Sequence, residues 1–190
     1  MNPPPFDVDS DVDSSGGEVL LGLGANLGDP LGQLARAVEL LREDVRIHRV
    51  SSVYRTEPVG FARQPDFFNL VVAGWTALEP AQLLAAAKRI EAEMGRAPAF
   101  RNAPRPMDVD LLAHAGRVMR TPDLTLPHPR LHLRGFVLHP LAEVAPEWRH
   151  PVLGRTAREL LSDAVALERV EPLGPLPPPG APLAPVRPSG

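Results

Sequence analysis

The stretch EVLLGLGANLGDPLGQLARAVELL, residues 18–41, passes from one periodicity to another. Glu18–Leu23 is a short apolar run ending among glycines, which predicts a buried strand. Asp29 and Pro30 follow as an N-cap and an N1 proline, the position where a missing amide hydrogen costs a helix nothing. The helix they open carries Leu31, Leu34, Val38 and Leu41 at three- and four-residue spacing, one apolar face. Gly22, Gly24 and Gly28 read as the tight strand-to-helix turn between the two. They miss the dinucleotide fingerprint by one residue, and no acidic residue stands at the required place on a second parallel strand. No phosphate-binding glycine loop ending in Lys-Ser or Lys-Thr occurs either.

The pattern continues on the C-terminal side. Val45–Val53 reads as a strand and Phe67–Leu78 as another, separated by the loop RTEPVGFARQPD at 55–66, which holds two prolines and a glycine. Pro80 starts a second helix with Leu83, Leu84, Ala87, Ile90 and Met94 along one side, and Gly95 stops it as a C′ residue. An arginine-rich loop, 96–106, leads into a strand at Met107–Ala113. Gly116 turns the chain into Arg117–Met119. A loop with Pro127 and Pro129 follows, then a helical stretch near 134–144 and a last helix near 155–168. The order β-α-β-β-α-β is that of a ferredoxin-like fold. It predicts an α+β domain, an antiparallel sheet with helices packed on one face, the other face being left to a ligand or further elements.

Composition bounds the rest. The chain has 190 residues, 44% apolar and 23% charged, with a net charge of -3. That is enough for one core and too acidic for an overall field that recruits nucleic acid or an anionic membrane. The absence of cysteine excludes disulfides, thiolate zinc, iron–sulfur clusters and cysteine catalysis. No apolar run approaches the roughly 20 residues of a membrane span, and the N-terminus does not resemble a signal peptide, so a cytoplasmic protein is expected. Residues 1–17, with three consecutive prolines and four aspartates, read as a disordered tail. Residues 171–190 read as a second, proline-rich tail, which leaves 18–170 as the folded domain. Lys88 is the only lysine among 20 basic residues.

The sharpest chemical signal is Asp108-Val109-Asp110. On a strand, residues two apart share a face. Met107, Val109 and Leu111 would then face the core, and Asp108 and Asp110 would project together. Two such carboxylates repel by roughly 2–3 kcal/mol at an effective dielectric near 20, an arrangement that calls for a cation. Hard oxygen ligands suit Mg²⁺, which shares the phosphates of its substrate. Asp7-Val8-Asp9 and Asp11-Val12-Asp13 repeat the spacing in the tail, so context decides: Arg96, Arg101 and Arg105 precede Asp108, and cations for phosphate beside carboxylates for metal are what triphosphate chemistry requires. Phe67, Asn69 and Phe136 could sandwich and read a flat heterocycle. His128, His132 and His139 have no metal-ligand spacing. Arg134-Gly135-Phe136-Val137 matches the start of an RNA-recognition segment whose remainder is missing; a ferredoxin-like RNA-binding module is the competing reading.

Five ordered blocks resemble one family: LGLGANLGDP (21–30), SSVYRTEPVGFARQPDFFNLVV (51–72), RIEAEMGR (89–96), RNAPRPMDVDLL (101–112) and LTLPHPRLHLRGFVLHPLAEVAP (124–146). They look like 6-hydroxymethyl-7,8-dihydropterin pyrophosphokinase, an enzyme of folate biosynthesis. The resemblance implies Mg²⁺-dependent transfer of pyrophosphate from ATP to the hydroxymethyl group of the pterin, giving AMP. It implies two Mg²⁺ ions on Asp108 and Asp110 and catalytic contacts from Arg96 and Arg105. It assigns the nucleotide to Lys88, Glu91, Arg96, Arg101, Arg105, His128 and Arg134, and the pterin to Thr56, Val59, Phe67, Asn69 and Phe136. The partners implied are small molecules, with no nucleic acid or membrane; a monomer is expected, with a dimer left open. Asn102 stands where the best-known members carry tryptophan, Pro106 where they carry threonine and Asp123 where they carry arginine. Those departures keep a third reading open, a pterin- or nucleotide-binding paralogue without catalysis.

Overall fold

A computed structural model describes residues 16–58, 64–95, 105–164 and 169–178. The strand-to-helix opening forms as its sequence dictates. β1 (Gly17–Ala25) runs into α1 (Pro30–Leu41), and the Asp29 side chain caps that helix by accepting the Gly32 amide at 3.1 Å. β2 (Arg46–Val50) and β3 (Ser52–Thr56) then hairpin back along β4 (Phe67–Thr76). α2 (Pro80–Glu93) starts at its proline and ends before Gly95, whose φ of +83° is the left-handed turn a glycine takes without strain. β5 (Asp108–His114) follows, then the short pair β6 (Met119–Arg120) and β7 (Thr125–Leu126). A 3₁₀ turn at Leu131–Leu133 leads into α3 (Gly135–Val144) and α4 (Ala157–Ala164). The last described strand is β8 (Val170–Pro175).

Among the described residues the main sheet runs β5-β1-β4-β3-β8, with β2 beside the far half of β4, and every pairing is antiparallel. The last, first, third and second strands of the β-α-β-β-α-β unit lie in that order, so the expected α+β, ferredoxin-like sheet with helices on it is what forms. α1 and α2 cover one face: Leu34, Val38, Leu41, Leu83 and Ile90 pack on Leu21, Leu23, Val72 and Val109. The face left to a ligand or further elements takes further elements over part of its length. α3 and α4 lay Leu138, Leu141, Val144 and Leu160 on Leu20, Val71, Ala73 and Leu112 at one end of it. The opposite end of that face, where β1 finishes and β4 and β5 begin, is left for a ligand.

Three boundaries differ from the sequence reading. The strand expected over Val45–Val53 breaks at Ser51 and resumes to Thr56, so Arg55 and Thr56 belong to β3 and not to the loop. Ser51 is buried, and its hydroxyl takes the Val71 amide (3.0 Å), a long-range bond that replaces one rung of the ladder. The expected tail at 171–190 begins inside the sheet, since Val170–Pro175 pairs with Ser52–Thr56. An edge strand tolerates prolines because the missing amide hydrogens face outward, and Leu173 and Leu176 pack against the core. Gly22 and Gly24 are not turn residues: both lie within β1, and only Gly28 turns, at φ +63°. The expected tail at 1–17, the end of the last predicted helix (165–168) and the run from 179 onward fall mostly or wholly outside the described residues.

Candidate active site

The site is the uncovered end of the α3 face, and register alone places its floor. Asp108 pairs with Gly24, Gly24 with Asn69, and Asn69 with Tyr54, so these four side-chain positions form one row across β5, β1, β4 and β3. The next rows hold Gly22 beside Asp110 and Thr56 beside Phe67. With strands about 4.8 Å apart, Asp108 and Asn69 stand on either side of a central strand that lacks side chains at Gly22 and Gly24. A Cβ built on Gly24 would lie 2.9 Å from Asn69 Oδ1. The two glycines therefore keep a trough open between an acidic wall on β5 and a polar and aromatic wall on β4.

On the acidic wall the predicted alternation holds. Met107, Val109 and Leu111 are buried in the core, while Asp108 and Asp110 are partly exposed on the opposite face. Arg105 Nη1 bonds Asp108 Oδ2 at 3.0 Å. Burial pushes the Asp110 carboxyl up to about 6; the Asp108 and Glu91 carboxylates add to the rise, and Arg134 and Lys88 oppose it. That is the signature of a carboxylate pair held at a price in electrostatic energy. It is also a hard-oxygen donor set of the kind Mg²⁺ takes, one whose repulsion a divalent ion would relieve. Among the described residues no third histidine or acid joins the pair to make an all-protein cage. A metal there would complete its shell from water or substrate.

Glu91, on α2, is buried. Its Oε1 accepts the Val109 amide at 2.9 Å and its Oε2 meets Lys88 Nζ at 2.9 Å. Its carboxylate thus takes the amide of the residue between the two aspartates, and the structure places the Lys88–Glu91 pair beneath the acidic wall. His128 donates its backbone amide to Leu112 O at 2.9 Å, which sets it alongside β5. Burial and the neighbouring Arg134 and Arg130 drop its pKa to about 4, so the ring is neutral at pH 7. Arg134 stands at the start of α3 with its guanidinium 5.3 Å from the centre of the Phe136 ring.

On the other wall, Asn69 is buried and donates through Nδ2 to Thr56 Oγ1 at 2.9 Å. Thr56 is buried as well, and Phe67 flanks it in the next row. The structure therefore brings Thr56, Phe67, Asn69, Asp108 and Asp110 to one floor. Arg105, His128, Arg134 and Phe136 stand around it, with Lys88 and Glu91 behind. Arg96, Arg101 and Val59 lie outside the described residues, as does Asn102. Sequence reasoning missed Asn26, which is 1% exposed and bonds to residues of two separate loops. A polar residue placed between Ala25 and Leu27 in an apolar run was its only local signal.

Known proteins resemble this chain over most of its length. A family model described as 7,8-dihydro-6-hydroxymethylpterin-pyrophosphokinase matches residues 20–146. The chain is 39% identical over 141 residues to an Aquifex aeolicus protein named 2-amino-4-hydroxy-6-hydroxymethyldihydropteridine pyrophosphokinase, covering 74% of this chain and 88% of that one. It is 43% identical over 155 residues to a Methylorubrum extorquens protein of the same name, covering 80% and 97%. A pea protein named folate synthesis bifunctional protein, mitochondrial, is 42% identical over 128 residues, 67% of this chain and 25% of that one. Among solved structures, Plasmodium falciparum HPPK-DHPS superposes with a TM-score of 0.68 at 17% identity over 82% of this chain, a likeness of fold. This chain spans about half the length of that one, 47%.

Proposed function

Because the chain belongs to the 7,8-dihydro-6-hydroxymethylpterin-pyrophosphokinase family and is thus a pyrophosphokinase of folate synthesis, we propose that it moves the terminal pyrophosphoryl group of ATP, with Mg²⁺, onto the hydroxymethyl oxygen of 6-hydroxymethyl-7,8-dihydropterin. In that reaction the pterin oxygen bonds to the β-phosphorus, the bond between the β-phosphorus and the oxygen bridging it to the α-phosphate breaks, and AMP leaves with that oxygen. The hydroxyl proton passes to water. One observation carries the reading: a glycine-floored trough with two carboxylates on one side and an anchored amide on the other, the two kinds of recognition a metal–triphosphate and a flat heterocycle need.

Asp108 and Asp110 would hold the Mg²⁺, which when bound supplies charge neutralisation for the phosphates. Arg105 and Arg134 flank the same end and supply planar donors for phosphate oxygens; Arg96 and Arg101 are proposed to join them from the 96–104 segment. His128, neutral at pH 7, offers a hydrogen bond and not a charge. Asn69 reads the edge of the pterin with its remaining amide groups, while the bond to Thr56 holds the side chain in place. Phe67 and Phe136 take the faces of the ring, with Val59 beside it. Catalysis in this arrangement comes from alignment and electrostatic stabilisation. Lys88 and Glu91 support β5 from beneath and sit toward the nucleotide. Two metal ions, small-molecule partners only and a cytoplasmic monomer complete the proposal; among the described residues no helix is long and apolar enough to cross a membrane.

The test is direct. Incubation with ATP, Mg²⁺ and 6-hydroxymethyl-7,8-dihydropterin, followed by separation of nucleotides, yields AMP and pterin diphosphate in equal amounts. Release of ADP, or no pterin-dependent AMP, would overturn the proposal.

A further inference from the structure

Asn26 lies just past β1, one residue beyond the floor, and is closed off from any ligand: 1% of the residue is accessible. Its side chain is spent on two loops far apart in sequence. Nδ2 donates to Gln64 Oε1 at 3.0 Å and to Pro65 O at 3.2 Å, in the segment that leads into Phe67 and Asn69. Oδ1 accepts the Arg105 amide at 3.0 Å, and the Asn26 backbone amide returns a bond to Arg105 O at 3.3 Å. The backbone partners fix the orientation of this amide: an N–H can only donate and a carbonyl can only accept, so Oδ1 must face Arg105 and Nδ2 must face Pro65. A second amide reinforces one half of the clamp. The Gln33 terminal amide lies against Leu27 O (2.9 Å) and Pro106 O (2.6 Å), two acceptors that only its nitrogen can satisfy.

The consequence follows from what each loop carries. One leads from Thr56 to Phe67 and Asn69, the proposed pterin wall. The other ends at Arg105, which is bonded to Asp108 on the metal wall. A buried polar group that loses its partner forfeits the whole desolvation cost, so the two loops cannot both leave Asn26 without leaving it unsatisfied. We infer that Asn26 is a positioning residue that couples Gln64 and Pro65, which lead into the pterin wall, to Arg105 on the phosphate side, so that loosening one contact loosens the other. The inference rests on the functional reading given above for what the loops bind, while the coupling is a property of the fold.

The experiment uses variants of Gln64, which is half-buried and belongs to neither core cluster. Gln64→Leu removes one of the two acceptors of Asn26 Nδ2, leaving Pro65 O; Gln64→Glu keeps both. In the full chain, Gln64→Leu is expected to lower kcat/KM for the pterin on the order of tenfold, the size expected when one well-placed hydrogen bond is lost. It is also expected to speed hydrogen exchange of the Arg105 amide, on the other loop, by a similar factor. Gln64→Glu restores both. Asn26→Ala gives the larger effect on both loops, and the double variant Asn26→Ala with Gln64→Leu is no worse than Asn26→Ala alone. Wild-type exchange at Arg105 in Gln64→Leu, or effects that multiply in the double variant, would overturn the coupling. A wild-type protein that makes no AMP would overturn the functional reading instead, and the exchange measurement would still decide the coupling.

Discussion

Replacing Asp110 with asparagine should make the protein more stable and inactive, and the stability gain should depend on pH in a defined way. In the fold the Asp110 carboxyl is pushed from its ordinary 3.8 up to about 6, first by burial and then by Asp108. Below pH 3.8 the group is protonated in both folded and unfolded chains and the substitution changes little. As the pH rises toward 6 the unfolded chain ionises first, so wild-type stability falls. Above 6 the full cost is in place. A displacement of about 2.2 pH units at 1.36 kcal/mol each is about 3 kcal/mol. Asparagine cannot ionise and escapes it. Urea denaturation of wild type and Asp110→Asn at pH 4 and pH 7.5 should show midpoints that nearly coincide at pH 4 and differ by about 3 kcal/mol at pH 7.5, or roughly 6–12 °C in thermal midpoint. Turnover in the variant should fall by a factor of 10² or more, the usual cost of losing an electrostatic stabiliser. A variant equally or less stable than wild type at pH 7.5 would refute the claim that the pair is electrostatically strained, and with it the argument that a cation belongs there.

Three further outcomes follow from the same geometry. Tyr54 is the only tyrosine in the chain. Burial and its bond to Glu143 raise its pKa to about 12, so absorbance at 295 nm should show a single ionisation near pH 12, and a midpoint near 10 would detach Tyr54 from α3. Gly24→Ala puts a methyl 2.9 Å from Asn69 Oδ1 and should raise the pterin KM about tenfold, the cost of a modest overpacking, with the ATP KM unchanged; an unchanged pterin KM would remove Asn69 from the pterin site. His128 is held neutral down to about pH 4, so the stability it confers is present above 6.5 and lost as the pH falls toward 4. His128→Gln should flatten that acid limb, and an unaltered pH profile would show the ring to be solvated.

What the sequence could and could not reveal divides along the range of the interactions. Asp29 with Pro30, Pro80 with Gly95 and the alternation through Met107-Asp108-Val109-Asp110 are local devices, and each formed where its residues put it. The break at Ser51 depends on a hydroxyl reaching Val71 across the ladder, and no neighbouring residue announces it. β8 hides behind prolines that argue against a strand unless the strand is known to be an edge. Gly22 and Gly24 look like a turn because glycines usually make turns; their purpose appears only once Asp108 and Asn69 are seen on either side. Asn26 bonds to residues 38 and 79 positions away, a separation at which periodicity carries no information. The paired aspartates are legible as chemistry, whereas the pterin is legible only through resemblance to a family, because the residues proposed to meet it are brought together from β3, β4 and α3 by the fold.

The central claim is that Asp108 and Asp110 hold divalent metal against the phosphates of a bound nucleotide. Crystals grown with Mn²⁺, 6-hydroxymethyl-7,8-dihydropterin and an ATP analogue whose α–β bridging oxygen is replaced by methylene provide the measurement, since manganese is located by its anomalous scattering. Anomalous density is expected within ligand distance of both carboxylates and of the β-phosphate. Manganese bound elsewhere, with Asp108 and Asp110 contacting only protein groups, would contradict it.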